Sequence, residues 1–507
     1  MSLDLKPPLA GEFETLSEAL AAAAREFGAR EAYVDGALRL TFGEWVGQAD
    51  ALAGEYVARG IAPGDVVALM MPASIDFAVG YAAAVRCGAV VTALNTRLGP
   101  REVDAILGRC QPRLVVRDDE LDLPATGTKA PVMARRELRD ASHASRAVVS
   151  PQVGRATDPA VIVWTSGTTG LPKGAWFDHA ALRAAVRTAG VITAPFDRRL
   201  SSTPFAHAGY MAKVWEQAAW GMTMVISPTP WSADDTVRLL DTERITVAGG
   251  VPTQWAKVVE HPALARADLS TLRMCVTATA PTPPELVERM TKRLGCPVVV
   301  RYAMTESPSI TGTEPGDLPE VLFRTVGRPQ AGVELELRGD AGEPVATGDV
   351  GRVHLRSTCA MRGYWCQPDL TGEVLSADGW LRTGDLGRFD DHGNLVLVGR
   401  ADDMYLRGGY NVYPLEVENV LTEHPCVDQA AVVGVPTPVI GETGVAFVVS
   451  AAGAAPPTLD ELRDWCRARL ADYKAPDEVI FVDALPLTPM MKVDKARLAQ
   501  QVSQARG

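Results

Sequence analysis

The segment WTSGTTGLPKG, residues 164–174, combines glycines, hydroxyl side chains and a lysine directly after the apolar run 160–163. Successive glycines let backbone N–H groups turn toward an anion, hydroxyls add hydrogen-bond donors, and a lysine supplies a positive charge. The combination predicts a loop that holds the phosphates of a nucleotide. The Walker pattern does not apply, because Gly174 follows Lys173 where that pattern requires Ser or Thr. Taken alone, the loop also fits an ordinary surface linker.

A phosphate loop needs a sheet and helices to hold it, and helical stretches alternate with short apolar runs over residues 15–100 and again over residues 160–300. This alternation predicts a large N-terminal part with βα units around a mainly parallel sheet, and either a second α/β sheet or a continuation of the first over residues 160–300. The helical stretches are 16–27 and 42–59, and the apolar runs predicted as strands are 66–71, 89–94, 247–251, 274–278 and 298–302.

The pattern changes near residue 320 to short strands and glycine turns, which predicts a small antiparallel, β-barrel-like subdomain. Its predicted strands are 333–338, 351–356 and 395–399. We place a domain boundary at 401/402, with residues 1–401 as the N-terminal domain and residues 402–507 as a smaller α+β domain. Within the smaller domain we expect a helix from Pro414, strands at 430–435 and 445–449, and a helix behind the Thr458–Glu461 capping box that includes Leu470.

Composition excludes several classes of function. The 507 residues carry a net charge of −12, and the basic residues are scattered, which argues against nucleic acid or an anionic membrane surface as a partner. The eight cysteines contain no C-x-x-C pair, so we expect reduced, mostly buried thiols and a cytoplasmic location. The N-terminus has no apolar stretch of signal-peptide length and no apolar run reaches about 18 residues, so we expect neither export nor a membrane span.

Several motifs occur in one order along the chain and together resemble the adenylate-forming superfamily, which includes acyl-CoA synthetases, nonribosomal peptide adenylation domains and firefly luciferase. The resemblance extends over nearly the whole chain. It is carried by TSGTTGLPKG (165–174), PFAHAGY (204–210), RYAMTES (301–307), the stretch 380–418 that begins WLRTGDLGRFDDHGNLVLVGRADD, and PLTPMMKVDKARL (486–498). The resemblance implies a large N-terminal domain of two mainly parallel α/β sheets plus a small β-barrel-like subdomain, and a mobile, smaller α+β C-terminal domain.

The resemblance also implies the residues that bind ATP. The signature loop binds the β- and γ-phosphates of ATP, Tyr302 stacks on adenine, and Thr305 contacts the α-phosphate. Glu306 holds Mg²⁺ between phosphate oxygens, where the metal screens charge that repels the incoming carboxylate. Asp385 accepts both ribose hydroxyls, and Arg400 supports it. The loop residues implied are Thr165, Ser166, Gly167, Thr168, Thr169 and Lys173.

The resemblance also implies that the active site adopts two arrangements, one for adenylation of the acid and one for attack by the thiol. His207 lies beside the reacting carboxylate, and Lys492 bridges that carboxylate and ATP during adenylation. Asp402 is the hinge about which the C-terminal domain rotates, after which Gly408 and Gly409 of the segment 407–411 line a channel for the pantetheine arm of coenzyme A. The residues implied for the acyl pocket are Phe205, Ala278, Thr279, Ala280 and Met304.

Three positions depart from the superfamily pattern. Met490 and Met491 precede Lys492 where glycine is common, and this change could weaken delivery of the lysine. Ala303 replaces the glycine of the Y-G-x-T-E block, a change we expect to be tolerated. The turn 278–281 reads Ala-Thr-Ala-Pro in place of a glycine-rich sequence, so side chains enter the acyl site.

The main prediction is an ATP- and Mg²⁺-dependent carboxylic acid:CoA ligase that forms an acyl-adenylate and then a thioester. Segment 204–207 has no aspartate to pair with a substrate ammonium, so a free acid without an α-amino group is favoured. Open alternatives are a ligase with impaired adenylation that takes a preformed acyl-adenylate from a partner enzyme, a ligase that loads a carrier protein, a luciferase-like oxygenase and a non-catalytic nucleotide binder. The resemblance also allows a homodimer.

Apolar side chains near the expected pocket favour a medium or large, mostly apolar acid, although such residues equally form ordinary core. They are Phe205, Tyr210, Val214, Trp215, Trp255 and Met304.

Overall fold

The computed structural model of the chain describes residues 6–121, 128–144, 154–165, 171–280, 282–408, 410–437, 441–488 and 492–506. Its helices are α1 (Leu16–Glu26), α2 (Phe42–Ala58), α3 (Ile75–Arg86), α4 (Pro100–Cys110), α5 (Arg135–Ser142), α6 (His179–Arg187), α7 (Ala208–Met211), α8 (Val214–Trp220), α9 (Ala233–Thr242), α10 (Pro252–Glu260), α11 (Pro284–Leu294), α12 (Pro319–Arg324), α13 (Pro368–Val374), α14 (Pro414–Thr422), α15 (Leu459–Arg467) and α16 (Lys495–Arg506).

Its strands are β1 (Glu31–Asp35), β2 (Leu38–Thr41), β3 (Val66–Met70), β4 (Val90–Ala93), β5 (Leu114–Arg117), β6 (Val132–Ala134), β7 (Pro159–Trp164), β8 (Gly174–Asp178), β9 (Arg198–Ser201), β10 (Thr223–Ile226), β11 (Val247–Gly250), β12 (Met274–Ala278), β13 (Val298–Met304), β14 (Ser307–Gly312), β15 (Arg328–Pro329), β16 (Val333–Arg338), β17 (Gly351–Ser357), β18 (Gly363–Tyr364), β19 (Leu381–Phe389), β20 (Leu395–Arg400), β21 (Tyr405–Arg407), β22 (Tyr410–Val412), β23 (Val427–Thr437), β24 (Gly441–Ser450) and β25 (Glu478–Phe481).

Two large sheets form the N-terminal part. The first has the order β15-β14-β13-β12-β11-β9-β10-β1-β2, in which the strands from β13 to β1 are parallel and the strands at both edges are antiparallel. The second has the order β18-β8-β7-β4-β3-β5-β6 and is parallel from β7 to β6. The predicted fold class, two mainly parallel α/β sheets with smaller units behind them, is therefore confirmed.

Helices packed between the two sheets complete one shared core. Val67 and Leu69 of β3, Tyr33 of β1 and Trp45 of α2 belong to a single apolar cluster. The alternate residues of β3 face the other way and pack with α4 in a separate cluster. A strand covered on both faces in this way has the continuous apolar run that the sequence shows at 66–70.

The smaller units follow along the chain. Strands β16, β17, β19 and β20 form an antiparallel sheet, and beyond residue 400 β22-β21-β24-β23 form another, with β25 parallel beside β24. Helix α15 has the capping box predicted for Thr458 and Glu461. The prediction that this helix includes Leu470 was wrong, because the chain turns after Arg467, although Leu470 still packs against the same core.

The parallel strands β9, β11 and β12 lie side by side and end at Ser201, Gly250 and Ala278. Open α/β sheets bind ligands in the crevice at the carboxyl ends of their strands. The loops that leave these ends therefore mark the place to examine for a functional site.

All eight cysteines are free thiols and six of them are buried, as predicted. None of the helices in the described ranges combines the length and the apolar character that a membrane crossing requires.

Candidate active site

A cleft opens where the carboxyl ends of the parallel strands meet the C-terminal domain. Its space, including the part open to solvent, is about 320 Å³, and its lining residues come from the segments that follow β9, β11 and β12 together with one lysine near the C-terminus. They are Ser202, Thr203, Pro204, His207, Val251, Gln254, Thr279 and Lys492. Residues 207, 279 and 492, which are far apart in sequence, thus line one cleft.

Lys492 lines this cleft and is hydrogen-bonded through its backbone to Thr488. The backbone N–H of Thr488 donates to the carbonyl of Lys492 at 2.7 Å, and the N–H of Lys492 donates to Oγ1 of Thr488 at 3.3 Å. Met490 and Met491 lie outside the described residues. Burial, and the nearby Arg400, lower the pKa of Lys492, while Asp385 and Glu306 act in the opposite direction.

His207 begins helix α7 and is held in one orientation. The backbone N–H of Gly209 donates to its Nδ1 at 3.1 Å, so a neutral ring carries its proton on Nε2. Burial, and then the charge of Lys492, lower the pKa of His207 to about 4. At neutral pH the cleft therefore holds an uncharged imidazole with one N–H to offer beside a lysine ammonium.

Tyr302, Asp385 and Arg400 meet at one side of the site. The hydroxyl of Tyr302 donates to Oδ2 of Asp385 at 2.6 Å, and Nε of Arg400 lies 3.7 Å from Oδ1. Asp385 and Arg400 face each other because β19 and β20 pair in that register. Burial, and the adjacent carboxylate, raise the pKa of Tyr302 well above its ordinary value.

Glu306 follows the β13 strand and is buried, with 9% of its surface exposed. The hydroxyl of Tyr364 donates to its Oε1 at 2.7 Å, and Nζ of Lys173 lies 5.3 Å from the centre of the Tyr364 ring. Burial, and the charge of Glu306, raise the pKa of Tyr364. Thr305, beside Glu306, is partly exposed at the β13–β14 turn. Tyr364 thus connects the glutamate to the lysine of the phosphate loop.

The neck of that loop is the end of the β7–β8 hairpin. The N–H of Thr165 donates to the carbonyl of Lys173 at 2.9 Å, and the N–H of Lys173 donates to Oγ1 of Thr165 at 3.3 Å. The tip residues Ser166, Gly167, Thr168 and Thr169, like Gly409, lie outside the described residues.

Thr279 has an unusual backbone. Its φ is +72°, a region that β-branched residues rarely adopt, and its Oγ1 is buried without a hydrogen-bond partner among the described residues. The sequence predicted a side chain in the acyl site at this turn but not the backbone conformation. Ala278 and Ala280, on either side, are partly exposed.

The apolar residues assigned to the pocket lie mostly in the core. Phe205 stacks on Tyr210 with ring centres 3.6 Å apart, and the Tyr210 hydroxyl lies 2.8 Å from that of Tyr33. Trp255 donates its indole N–H to the carbonyl of Val276 at 3.0 Å. Met304 is partly buried against the same apolar cluster as Phe205. Val214 and Trp215 are also buried.

The described residues predicted for the hinge and the thiol channel are not among those that line the cleft. Asp402 is exposed in the turn between β20 and β21, and Gly408, with φ of +59°, is exposed in the turn between β21 and β22. Sequence reasoning missed Tyr364, Ser202 and Gln254. Tyr364 belongs to a two-residue strand with no local pattern, and the other two are ordinary loop and helix residues until the fold places them in the cleft.

Sequence profiles of two families match the chain. The profile of the AMP-binding enzyme family matches residues 20–365, and that of the AMP-binding enzyme C-terminal domain matches residues 416–492. A feruloyl-CoA synthase from Amycolatopsis sp is 35% identical, with 92% of this chain and 94% of that protein covered. The long-chain-fatty-acid–CoA ligase FadD13 from Mycobacterium tuberculosis is 33% identical, with 93% and 95% covered.

A solved structure, that of the amide bond synthetase McbA from Marinactinospora thermotolerans, is similar to this chain with a TM-score of 0.85 and 32% identity. The similarity covers 96% of this chain and 99% of that one.

Proposed function

The chain belongs to the family of AMP-binding enzymes and is an acyl-CoA ligase of the AMP-forming type, and from this premise we propose that it performs both half-reactions, with ATP, Mg²⁺ and coenzyme A. In the first half-reaction the carboxylate of the acid displaces pyrophosphate from ATP. In the second, the thiol of coenzyme A displaces AMP. The position of Lys492 in the cleft beside His207, close enough to Asp385 and Glu306 for both carboxylates to raise its pKa, is the observation that carries this proposal.

Adenylation depends on alignment and on neutralising negative charge rather than on a protein nucleophile. Asp385 binds the ribose hydroxyls and Tyr302 stacks on adenine. Lys492 places its ammonium between the acid carboxylate and the α-phosphate. The N–H on Nε2 of His207 donates to the carboxylate and fixes its direction of attack.

Glu306 fits the role of a magnesium ligand. Its buried carboxylate uses Oε1 to accept from Tyr364, and a carboxylate has further acceptor positions for a hydrated ion. Protein sites commonly bind Mg²⁺ through one or two carboxylates plus substrate phosphates, and they do not require a cluster of protein ligands. When bound, the ion would neutralise phosphate charge.

For the second half-reaction we propose that the C-terminal domain rotates about Asp402. Lys492 then leaves the cleft, and the segment with Gly408 and Gly409 comes in to line the thiol channel. Lys492 lines the cleft and Gly408 is exposed to solvent, which supports assigning the present arrangement to the first half-reaction.

The position of Lys492 favours full two-step activity over the alternative in which adenylation is impaired. A carrier-protein thiol remains an alternative acceptor. An amine is a further candidate, because McbA, at 32% identity, is an amide bond synthetase. The size and polarity of the acid stay predictions, and the burial of the aromatic residues in the core gives the preference for an apolar acid no support.

Release of pyrophosphate tests the proposal. The protein, ATP, Mg²⁺ and a panel of acids are incubated without coenzyme A, and coenzyme A, a carrier protein or an amine is then added in separate reactions. Brisk pyrophosphate release followed by acyl-CoA formation is expected. Acyl-CoA formation only from a synthetic acyl-adenylate would instead establish the impaired-adenylation alternative.

We predict that Asp402→Pro separates the half-reactions. Proline fixes its own φ and restricts the residue before it, so the hinge can no longer absorb the rotation. Acyl-CoA formation should fall by at least about tenfold while pyrophosphate exchange stays within about threefold of its original rate. Asp402→Ala serves as the control and should leave both half-reactions near normal. An equal loss of both half-reactions in Asp402→Pro would contradict the assignment.

The pKa of His207 gives a prediction for pH dependence. Its folded pKa of about 4 lies below the ordinary value of 6.5, so the ring stays neutral as pH falls from 8 to about 5. Pyrophosphate release should therefore show no inflection near pH 6.5. Rate profiles of the wild type and of His207→Gln are the measurement, and an inflection near pH 6.5 that disappears in the variant would contradict a neutral His207.

A further inference from the structure

Thr279 combines two energetically costly features in the wall of the cleft. Its φ of +72° lies in the left-handed region, where a β-branched side chain crowds its own backbone. Its Oγ1 is buried and has no hydrogen-bond partner among the residues that the structure describes. Backbone strain of this kind is concentrated at functional sites, and a buried hydroxyl without a partner requires an explanation of its own.

Contacts on both sides of Thr279 hold it in this conformation. The hydroxyls of Thr277 and Thr282 lie 2.9 Å apart, so one of them donates to the other. The indole N–H of Trp255 donates to the carbonyl of Val276 at 3.0 Å. These two hydrogen bonds fix the end of β12 and the chain beyond Thr279, and they therefore resist relaxation of its φ.

Neither feature alone marks a site, but Thr279 combines both of them at the cleft. In the described part of the chain five residues other than glycine have a positive φ, and of these only Thr279 lines the cleft. Ser227, which follows β10 of the same sheet, also has a buried hydroxyl without a partner among the described residues, but it does not line the cleft. The missing partner of the Thr279 hydroxyl is therefore to be sought in a ligand that enters the cleft.

The two half-reactions place different charge on the acyl oxygen, which is the oxygen of the acid that does not bond to phosphorus. During adenylation this oxygen loses negative charge as it becomes the carbonyl oxygen of the acyl-adenylate. During thioester formation the thiol loses its proton to solvent and its sulfur bonds to the carbonyl carbon, so the π electron pair moves to the oxygen. The pair then returns and the bond to the phosphate oxygen breaks, so AMP leaves with the electrons of that bond.

A hydrogen-bond donor to the acyl oxygen therefore accelerates the second half-reaction and hardly affects the first. The proposed function withdraws Lys492 from the cleft before the thiol attacks, so the ammonium cannot stabilise this oxyanion. Thr279 and His207 line the same cleft from the N-terminal part of the chain, which does not take part in the proposed rotation. Their side chains are thus available in the second half-reaction.

We propose that the hydroxyl of Thr279 donates to the acyl oxygen, beside the N–H on Nε2 of His207, and stabilises the oxyanion that forms when the thiol attacks. This inference rests on the proposed function, because it assigns a catalytic residue to the second half-reaction. The hydroxyl has no hydrogen-bond partner among the described residues, so none of their hydrogen bonds must break before it donates to the substrate.

Thr279→Val tests the proposal, because valine keeps the size and the β-branching of threonine and replaces only the hydroxyl. The acid of the panel that releases pyrophosphate fastest is used, together with its synthetic acyl-adenylate. Acyl-CoA formation from the adenylate should fall on the order of 10²-fold, mainly in kcat, while pyrophosphate release without coenzyme A stays within about threefold of its original rate. Tm should stay at or above the wild-type value, because a methyl group replaces an unsatisfied hydroxyl.

Two further variants serve as controls. Thr279→Ser keeps the hydroxyl, so acyl-CoA formation from the adenylate should stay within about fivefold of the wild-type rate. Ser227→Ala is the matched control, because it removes another buried, unsatisfied hydroxyl at the same edge of the sheet but outside the cleft. It should leave both half-reactions within about threefold of their original rates.

Unchanged acyl-CoA formation in Thr279→Val, equal losses of both half-reactions, or a loss in Thr279→Ser as large as in Thr279→Val would overturn this inference and leave the proposed function intact. A Tm of Thr279→Val well below the wild-type value, or its failure to fold, would assign the hydroxyl a structural role and overturn the inference as well. Failure of every acid to release pyrophosphate with the wild type would instead overturn the proposed function.

Discussion

Replacing Lys492 by alanine is expected to slow acyl-adenylate formation on the order of 10³-fold while thioester formation from a synthetic acyl-adenylate stays within about threefold of the original rate. In the proposed mechanism the ammonium acts where negative charge develops as the carboxylate attacks the α-phosphate. The proposed rotation withdraws Lys492 from the cleft, so its removal is expected to leave the second half-reaction unaffected. Pyrophosphate exchange and acyl-CoA formation, measured separately, distinguish these effects.

Lys292→Ala is the matched control, because Lys292 is a solvent-exposed lysine on α11 that forms an ordinary surface ion pair with Glu288 at 2.6 Å. It should alter neither half-reaction. Equal losses of both half-reactions in Lys492→Ala would contradict the assignment of two geometries.

The pKa of Lys492 adds a condition on pH. Because burial and Arg400 lower this pKa, the ammonium loses its proton at a lower pH than an ordinary lysine does. The rate of adenylation that depends on the charged lysine is therefore at its maximum at pH values below the pKa of Lys492 in the folded protein. The rate declines as pH rises through that pKa, which lies below the ordinary lysine value of 10.5. Lys492→Arg should shift that decline to higher pH.

Periodicity predicted the framework because it depends on short-range rules. Strand β12 was predicted with its observed bounds, Met274–Ala278, since a buried parallel strand is a continuous apolar run between turns. The capping box at Thr458 was likewise readable from two residues three positions apart. Such features need no knowledge of distant contacts.

The parts of the site that sequence could not supply depend on distant contacts. Phe205 and Tyr210 have the composition of a pocket, but only the fold shows that they stack on each other in the core. Tyr364 reaches Glu306 because a two-residue strand joins the edge of a sheet. An arginine in a strand, such as Arg301, predicts an exposed position, and its burial follows from the helices and turns that cover that face.

Replacing Asp385 by alanine is expected to raise KM for ATP on the order of 10²-fold or more. Each ribose hydroxyl that donates to the carboxylate forms a hydrogen bond to a charged group, which contributes about 1.5–3 kcal/mol, and the proposal assigns two of them to Asp385. KM for the acid and kcat at saturating ATP should change much less, because the carboxylate is proposed to bind ribose and not the reacting atoms. Steady-state rates with ATP varied at saturating acid are the measurement.

Tyr302→Phe separates the contribution of the Asp385 carboxylate to ATP binding from that of the Tyr302 hydroxyl. The variant keeps the ring proposed to stack on adenine and removes only the hydroxyl that donates to Asp385 at 2.6 Å. Because a bound ribose can donate to the oxygen thereby freed, KM for ATP should rise by less than about tenfold in this variant. A loss in Tyr302→Phe as large as in Asp385→Ala would mean that the tyrosine hydroxyl, and not the carboxylate, governs nucleotide binding. Equal KM for ATP in Asp385→Ala and the wild type would remove Asp385 from the nucleotide site.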